Sequence, residues 1–164
     1  MKHVVGTNSR TTLSGVQDGD VQPNACDLRL AKVLRILPNE FVIDNDSKTH
    51  RGSVVVEPDE LGWYRLEPGS YEVVMENVVN VGSHEAGFVI TRSTLNRNAV
   101  FLTSGLYDSM YHGMMAACMH VGAGIMHIKQ GTRIGQYLSF DAEMLHHYNG
   151  SYGLNTEHDK KYGV

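Results

Sequence analysis

Apolar and polar residues alternate along most of this chain in short runs, and turn-forming residues separate the runs. The alternation is clearest after Asp27 over residues 28–30, and again over 125–129 and 133–140; this pattern is typical of strands with one buried face. Short runs rich in β-branched and aromatic residues lie at 41–43, 53–56, 71–79, 86–90 and 99–102. Strands spaced about every ten residues and joined by short turns predict an all-β barrel or sandwich.

Four stretches fit this pattern less directly. Residues 31–37 are ambiguous between strand and helix, and we favour a strand. Residues 92–98 can form one short helix, with Thr91 or Ser93 available as its cap. Residues 1–20 are polar and rich in Gly, Ser and Thr, so we expect an extended or loosely ordered N-terminal arm. The tail at 146–164 is polar and rich in Gly, Tyr and His, so we expect it to be mobile.

Length and composition indicate one globular domain over residues 1–164. The 164 residues are 41% hydrophobic and 20% charged. A net charge of −4 argues against a nucleic-acid partner, and no apolar run approaches the length of a membrane span. Cys26 and Cys118 lie too far apart in sequence to suggest a disulfide framework or a zinc site. With no signal-peptide core at the N-terminus, we expect a cytoplasmic protein.

Two polar stretches are candidates for chemistry. Residues 104–113 place one acid, Asp108, in a turn between apolar runs, where a carboxylate can orient a water or accept its proton. Residues 91–97 offer two cations and several hydroxyls, which suit phosphate. Taken alone, Asp108 is also an ordinary turn residue, and Arg92 and Arg97 are ordinary surface arginines.

Five separated stretches resemble, in order, the motifs of the dUTPase and dCTP deaminase superfamily. Residues 22–30 (Gln-Pro-Asn-Ala-Cys-Asp-Leu-Arg-Leu) and 92–97 (Arg-Ser-Thr-Leu-Asn-Arg) resemble motifs of the deaminase branch. Residues 105–113 (Gly-Leu-Tyr-Asp-Ser-Met-Tyr-His-Gly) are similar to the dUTPase catalytic motif Gly-x-Ile-Asp-x-x-Tyr-x-Gly. Residues 131–136 resemble the phosphate motif near the end of the core, and residues 148–153 are a looser match to the C-terminal arm.

This resemblance implies a distorted β-barrel that forms a homotrimer. It also implies active sites between subunits and a C-terminal arm that closes over a deoxynucleoside triphosphate carried with Mg²⁺. The Met-rich run at 114–121 has the composition of a helix but is short and bounded by glycines. On the resemblance, we predict that this run is a buried strand.

The resemblance also implies roles for individual residues. Asp108 would activate the attacking water, Arg92 and Ser93 would hold phosphate oxygens, and Arg133 and Gln136 would reach the terminal phosphates.

The remaining candidates would bind other parts of the substrate. Tyr111 would pack against the deoxyribose, and Asp27 would orient the Mg²⁺-triphosphate through water. Arg97 and Ser104 are further substrate-binding candidates. Tyr148, or Tyr152 beside it, could stack on the base.

One position separates the two reactions of the superfamily. Deamination uses a Glu ten residues after the motif Asp, and here that position is Cys118. We therefore predict a Mg²⁺-dependent dUTP pyrophosphatase. A dCTP deaminase, a dCTP or modified-pyrimidine triphosphatase and a non-catalytic nucleotide-binding regulator stay open as alternatives. The nine histidines are scattered without ligand spacing, so we predict no direct metal site.

Overall fold

The chain folds almost entirely into β-strands in a computed structural model that describes residues 1–163. The strands are β1 (Thr12–Leu13), β2 (Cys26–Ile36), β3 (Val42–Ile43), β4 (Lys48–Thr49), β5 (Ser53–Val56), β6 (Trp63–Leu66), β7 (Gly69–Asn80), β8 (Glu85–Thr91), β9 (Val100–Thr103), β10 (His112–Val121), β11 (Met126–Lys129) and β12 (Arg133–Asp141). One short α-helix, α1 (Ser93–Asn96), follows β8, and a 3₁₀ helix (Asp159–Tyr162) lies in the tail. The prediction of an all-β fold with one short helix is confirmed.

An eight-stranded antiparallel sheet forms the body of the molecule, in the order β8-β12-β2-β7-β10-β9, with β1 added beside β7 and β5 beside β2. Side chains join its two end strands: Thr91 Oγ1 on β8 accepts a hydrogen bond from the Leu102 amide on β9 at 2.7 Å. Register shifts interrupt the β10–β7, β12–β2 and β2–β7 pairings. Such interruptions bend the strands, so the sheet curls into a nearly closed barrel, as the resemblance implied.

Both ambiguous stretches are strands. Residues 31–36 complete β2, and residues 114–121 lie within β10. In β10, Met115, Ala117 and Met119 point into the core, and the residues between them are half-buried. Hydrogen bonding to β7 on one side and β9 on the other therefore overrides the helix propensity of Met and Ala. Only an extended chain can pair with both strands.

The N-terminal segment is attached to the barrel through the fully buried Glu85 at the start of β8. The Glu85 carboxylate accepts five hydrogen bonds from the segment's Lys2, Ser9, Arg10 and Thr11. The segment thus lies against one edge of the barrel.

The C-terminal tail packs back on the outer side of β7 and β10. Lys161 contacts the Glu72 carboxylate at 2.8 Å, and the Leu154 amide donates to the His112 carbonyl at 3.0 Å. Lys32 also donates to the Tyr162 carbonyl.

An apolar patch occupies the outer face of β8 and β12. It consists of Phe88, Ile90, Leu138 and Phe140, of which Phe88 and Ile90 are each 37% exposed. The rings of Phe88 and Phe140 lie 6.0 Å apart. We call these four residues the β8–β12 patch.

Candidate active site

One polar cluster forms where β2, β12 and the end of β8 meet. The fully buried Asp27 accepts a hydrogen bond from Gln136 Nε2 at 3.0 Å. Its other oxygen lies 3.3 Å from Arg92 Nε and 3.4 Å from an Arg133 terminal nitrogen. The structure thus brings together four of the residues that the motifs suggested, and we call them the Asp27 cluster.

Strand register places these side chains on one face. Asp27 pairs with Gln136 across β2 and β12, and the Arg92 amide donates to the Ile134 carbonyl at 3.2 Å. The register shift between Arg133 and Gly135 turns the strand at this point. The motifs at 22–30, 92–97 and 131–136 therefore converge because three strands are neighbours.

The electrostatic balance of the Asp27 cluster favours an anion. Arg92 and Arg133 share one carboxylate, and their side chains remain 27% and 35% exposed, so one positive charge is left uncompensated. Planar guanidinium groups bind phosphate oxygens in pairs. The cluster can therefore hold a phosphate chain against its exposed edge.

A supporting ion pair that the motifs did not indicate lies behind this cluster. Arg29 contacts both oxygens of the buried Asp20, at 2.7 and 3.0 Å, and Arg133 donates to the Gly19 carbonyl at 2.7 Å. Burial acts to raise the pKa of Asp20, but hydrogen bonds from Arg29 and the Gln17 amide lower it below its ordinary value. Asp20 is therefore ionised and neutralises Arg29, and its loop orients Arg133.

Two further candidates lie beside the cluster without joining it. Ser93 and Arg97 are exposed at the two ends of α1. Among residues 1–163, neither side chain forms a hydrogen bond or ion pair with the Asp27 cluster. Their proposed contacts with phosphate stay predictions.

Asp108 lies in a tightly held loop between β9 and β10. Tyr107 bridges to Gly87, and Ser109 Oγ donates to the Glu85 carbonyl at 2.7 Å. The Tyr111 amide donates to the Asp108 carbonyl at 3.0 Å. The Asp108 side chain itself is exposed and has no hydrogen bond or ion pair within the described part of the chain. Fixed backbone and an unengaged carboxylate are what a water-activating group requires.

Aromatic side chains form the floor next to this loop. Tyr111 is 7% exposed, and its hydroxyl donates to the Met114 carbonyl at 3.0 Å. Its ring lies 5.4 Å from that of Tyr107 and 5.3 Å from that of Tyr148. Tyr111 and Tyr148 thus lie next to each other, and their contacts with substrate stay predictions.

Two adjoining clefts open between the Asp108 loop and the tail. The larger, about 380 Å³, is lined by Ser104 and Cys118 among others, and the smaller, about 250 Å³, by Tyr111 and Tyr148 among others. Four residues lie between the two clefts and line both of them: Gly105, Ala116, Tyr152 and His158. The tail therefore covers the space beside the loop that resembles the dUTPase catalytic motif.

The larger cleft contains a carboxylate that the sequence did not place there. Glu72 on β7 pairs directly with Cys118 on β10. Burial raises the pKa of the Cys118 thiol, so this thiol stays protonated. Glu72 is held by Lys161 at 2.8 Å and by the Tyr162 hydroxyl. The sequence alone could not identify Glu72 as the neighbour of Cys118, because this depends on the register between β7 and β10.

Ser104 also has a structural contact in the barrel. Its hydroxyl accepts a hydrogen bond from the Val89 amide at 2.9 Å and donates to the Gly105 carbonyl. The side chain thus helps to join β8 to the chain after β9, while it also lines the larger cleft.

The candidate residues fall into two groups in the described chain. Within residues 1–163, no hydrogen bond or ion pair joins the Asp108 loop to the Asp27 cluster. These residues also contain no group of three or more His, Cys, Asp or Glu side chains arranged to hold a metal ion. No helix in the described chain is long and apolar enough to cross a membrane.

Comparison with known proteins gives consistent matches. A family model described as dCTP deaminase-like matches residues 4–141. A probable deoxyuridine 5'-triphosphate nucleotidohydrolase of Methanococcoides burtonii is 32% identical over 141 residues, which is 82% of each chain. Another of the same description, from Methanothermobacter thermautotrophicus, is 33% identical over 134 residues, covering 80% of this chain and 87% of that protein.

Solved structures are similar at the level of the fold. The 2'-deoxycytidine 5'-triphosphate deaminase of Agrobacterium tumefaciens superimposes with a TM-score of 0.61 at 15% identity, over 79% of this chain and 42% of the deaminase. A variant of the Staphylococcus bacteriophage 80alpha dUTPase superimposes with a TM-score of 0.54 at 12% identity, over 89% of this chain and 99% of the dUTPase. The two superpositions show a shared fold, and at such low sequence identity they show nothing beyond the fold.

Proposed function

Because the chain belongs to the dCTP deaminase-like family, we propose that it hydrolyses dUTP to dUMP and pyrophosphate, with Asp108 activating the attacking water. The observation that carries this proposal is the Asp108 carboxylate: it is exposed, its loop is held by hydrogen bonds, and it lines a third cleft, of about 460 Å³, together with Tyr148 of the tail. The archaeal relatives, described as probable dUTP nucleotidohydrolases, support the choice of reaction.

In the proposed reaction, water attacks the α-phosphorus of dUTP. Asp108 accepts a proton from the water as the new P–O bond forms, and the bond between the α-phosphorus and the bridging oxygen to the β-phosphate breaks. Pyrophosphate leaves with the bond electrons. Arg92, with Ser93 beside it, stabilises the charge that develops on the phosphate oxygens.

Substrate binding divides between the two groups of residues. Arg133 and Gln136 hold the terminal phosphates, and Arg97 adds a further positive charge. Asp27, whose oxygens are engaged by Gln136 and both arginines, orients these donors and faces the Mg²⁺-triphosphate through water.

At the other end of the substrate, Tyr111 packs against the deoxyribose and Tyr148 lies at its side. Ser104 contributes at the rim of the larger cleft.

Mg²⁺ fits this arrangement as part of the substrate. The described residues offer no cluster of three ligands, whereas Mg²⁺ characteristically keeps water and binds through phosphate oxygens. When bound, the ion neutralises charge on the triphosphate.

We also propose that the protein acts as a homotrimer whose sites lie between subunits. No hydrogen bond or ion pair joins the Asp27 cluster to the Asp108 loop within residues 1–163, and the β8–β12 patch lies beside Gln136 through the pairing of Gln136 with Ile90. An exposed apolar patch next to half of a site suits a second copy that brings the other half.

The side chains that line the larger cleft disfavour deamination. Cys118 stands where the deaminase branch has its Glu, and a protonated thiol is a poor proton shuttle. Glu72 lies opposite, but its carboxylate is paired with Lys161 and Tyr162.

An end-point assay with dUTP, dCTP, dTTP and dATP, each with Mg²⁺, tests the proposal by measuring pyrophosphate and ammonia separately. We expect pyrophosphate from dUTP and no ammonia from dCTP. Pyrophosphate from dCTP alone would change the base specificity, and binding without any product would favour a nucleotide-binding regulator.

The Asp108→Asn variant tests the assigned base. It should lower turnover at least about a hundredfold, the scale of losing a general base, while affinity for the non-hydrolysable α,β-imido analogue of dUTP changes little. Asp46→Asn is the matched control, because Asp46 is an exposed acid in the β3–β4 turn. Unchanged turnover in Asp108→Asn would refute the role of Asp108.

A further inference from the structure

The tail contains a buried carboxylate that has no partner for one of its oxygens. Asp159, in the 3₁₀ helix, is 2% exposed. Its Oδ1 lies 3.4 Å from His158 Nδ1, but its Oδ2 is fully buried and has no hydrogen-bond partner among the described residues. Leaving such an oxygen unpaired is unfavourable, so its presence calls for a physical explanation.

Asp159 lines the smaller cleft together with Gly105, Tyr111 and Ala116. Gly105 and Tyr111 belong to the stretch that resembles the dUTPase catalytic motif, and Ala116 follows it in β10. The cleft volume of about 250 Å³ is walled mainly by aromatic and aliphatic side chains, which suit a flat ring. Asp159, which carries the unpaired oxygen, therefore borders the space in which the proposed function puts the nucleoside.

Neighbouring donors are already used elsewhere. The hydroxyls of Tyr107 and Tyr111 donate to backbone carbonyls, and that of Tyr162 donates to Glu72. The two lysines beside Asp159 are engaged as well, since Lys160 pairs with Glu157 and Lys161 with Glu72. The hydroxyls of Tyr148 and Tyr152 also line the cleft, but neither donates to Asp159 Oδ2. A ligand that enters the cleft can supply the missing donor.

We propose that Asp159 binds the base of the substrate, with its Oδ2 accepting a hydrogen bond from an N–H on the edge of the pyrimidine ring. This inference rests on the proposed function. A carboxylate oxygen accepts hydrogen bonds, so it matches the part of the nucleotide that offers an N–H donor in an aromatic cleft. In uracil that donor is the ring N3–H, and in cytosine it is the exocyclic amine.

The same carboxylate couples the tail to the ligand. Docking of the empty tail buries an unpaired oxygen, which opposes closure, whereas a bound base supplies the missing donor and removes this penalty. Asp159 thereby makes closure of the tail depend on a base with a donor at the right edge.

The Asp159→Asn variant separates this role from simple support of the tail. An amide has nearly the same shape and no charge, so it is easier to bury in the empty protein but forms a weaker hydrogen bond with the base. We expect affinity for the α,β-imido analogue of dUTP to fall at least about tenfold, because a hydrogen bond to a charged group is lost. Hydrogen exchange of amides 153–162 in the empty protein should become slower.

Three controls define the outcome, each measured by titration calorimetry with Mg²⁺. Binding of inorganic tripolyphosphate should be unchanged in Asp159→Asn, since Asp159 does not contact phosphate. Glu60→Gln, at an exposed acid outside the tail, should match the wild type in all measurements. The α,β-imido analogue of dCTP shows whether an exocyclic amine can replace the ring N–H as the donor.

The results distinguish this inference from the proposed function. If the wild type binds the dUTP analogue and Asp159→Asn binds it equally well, the inference is wrong and the proposed function stands. Faster exchange in the tail together with weaker tripolyphosphate binding would show a supporting role and would also overturn the inference. If the wild type binds neither analogue, both the proposed function and the inference fail.

Discussion

Replacement of Glu85 by Gln should destabilise the fold strongly and in a way that depends on pH. Glu85 is fully buried, and each of its oxygens is an acceptor: Oε1 for Lys2 and the Arg10 amide, Oε2 for Ser9 and Thr11. Glutamine has the same shape as glutamate, but its amide nitrogen is itself a donor and would replace one of the two accepting oxygens. Those donors then lose their acceptor in the interior.

The pKa of Glu85 sets the size of the effect. Burial acts to raise this pKa, but hydrogen bonds from the Arg10 amide, Thr11, Lys2 and Ser9 together lower it from 4.5 to about 2. At about 1.36 kcal/mol for each pKa unit, this difference corresponds to about 3 kcal/mol of unfolding free energy. Because the pKa is lower in the folded state, this contribution is complete well above pH 4.5 and is lost as the pH falls toward 2.

Urea denaturation of wild type and Glu85→Gln at equal protein concentration measures this contribution. At pH 7 we expect the variant to be less stable by about 3 kcal/mol or more, a substantial part of the 5–15 kcal/mol typical of a domain. Between pH 7 and pH 3 the difference should shrink by about 2 kcal/mol, since protonation removes the same contribution from the wild type.

The exposed Glu60 provides the control, and Glu60→Gln should change stability by less than about 0.5 kcal/mol. A difference between wild type and Glu85→Gln that is below about 1 kcal/mol at pH 7, or that does not vary with pH, would refute the reasoning.

Two further predictions concern the site. Gly113→Ala should raise KM for dUTP about tenfold in steady-state assays. The new Cβ would lie 2.4 Å from the Tyr111 hydroxyl and 2.8 Å from Gly153 Cα, so it would displace the tail. An unchanged KM would show that docking of the tail does not matter for substrate binding. Phe88→Asp, in the β8–β12 patch, should convert the proposed trimer to monomers in light scattering and abolish dUTP turnover. Leu61→Asp, at a position 72% exposed, should leave both unchanged. A monomeric wild type that hydrolyses dUTP would contradict the shared site.

Much of the fold could be predicted because each strand carries its own pattern. The alternation over 133–140 and the β-branched run at 53–56 specify local structure without reference to neighbours. Residues 114–121 were different, since their composition favours a helix and only pairing with β7 and β9 makes them a strand. That stretch was predicted correctly through its resemblance to known motifs.

Residues of the site that no motif contains could not be predicted, because they depend on register and on the path of the tail. Glu72 reaches Cys118 only through the pairing of β7 with β10. Asp20 supports Arg29 through a bidentate contact, and Asp159 enters the smaller cleft because the tail folds back over β10. In the sequence, each of these acids looks like any other surface carboxylate.

Glu85 connects the stability of the barrel to the position of the proposed base. Its side chain attaches the N-terminal segment, while its carbonyl accepts the hydrogen bond from Ser109 that holds the loop beside Asp108. The side-chain bonds restrain β8 from one side, and the backbone bond passes that restraint to the loop. Placement of Asp108 therefore depends on contacts of residues 2–11, far from any motif, and weakening those contacts should loosen the loop before the barrel unfolds.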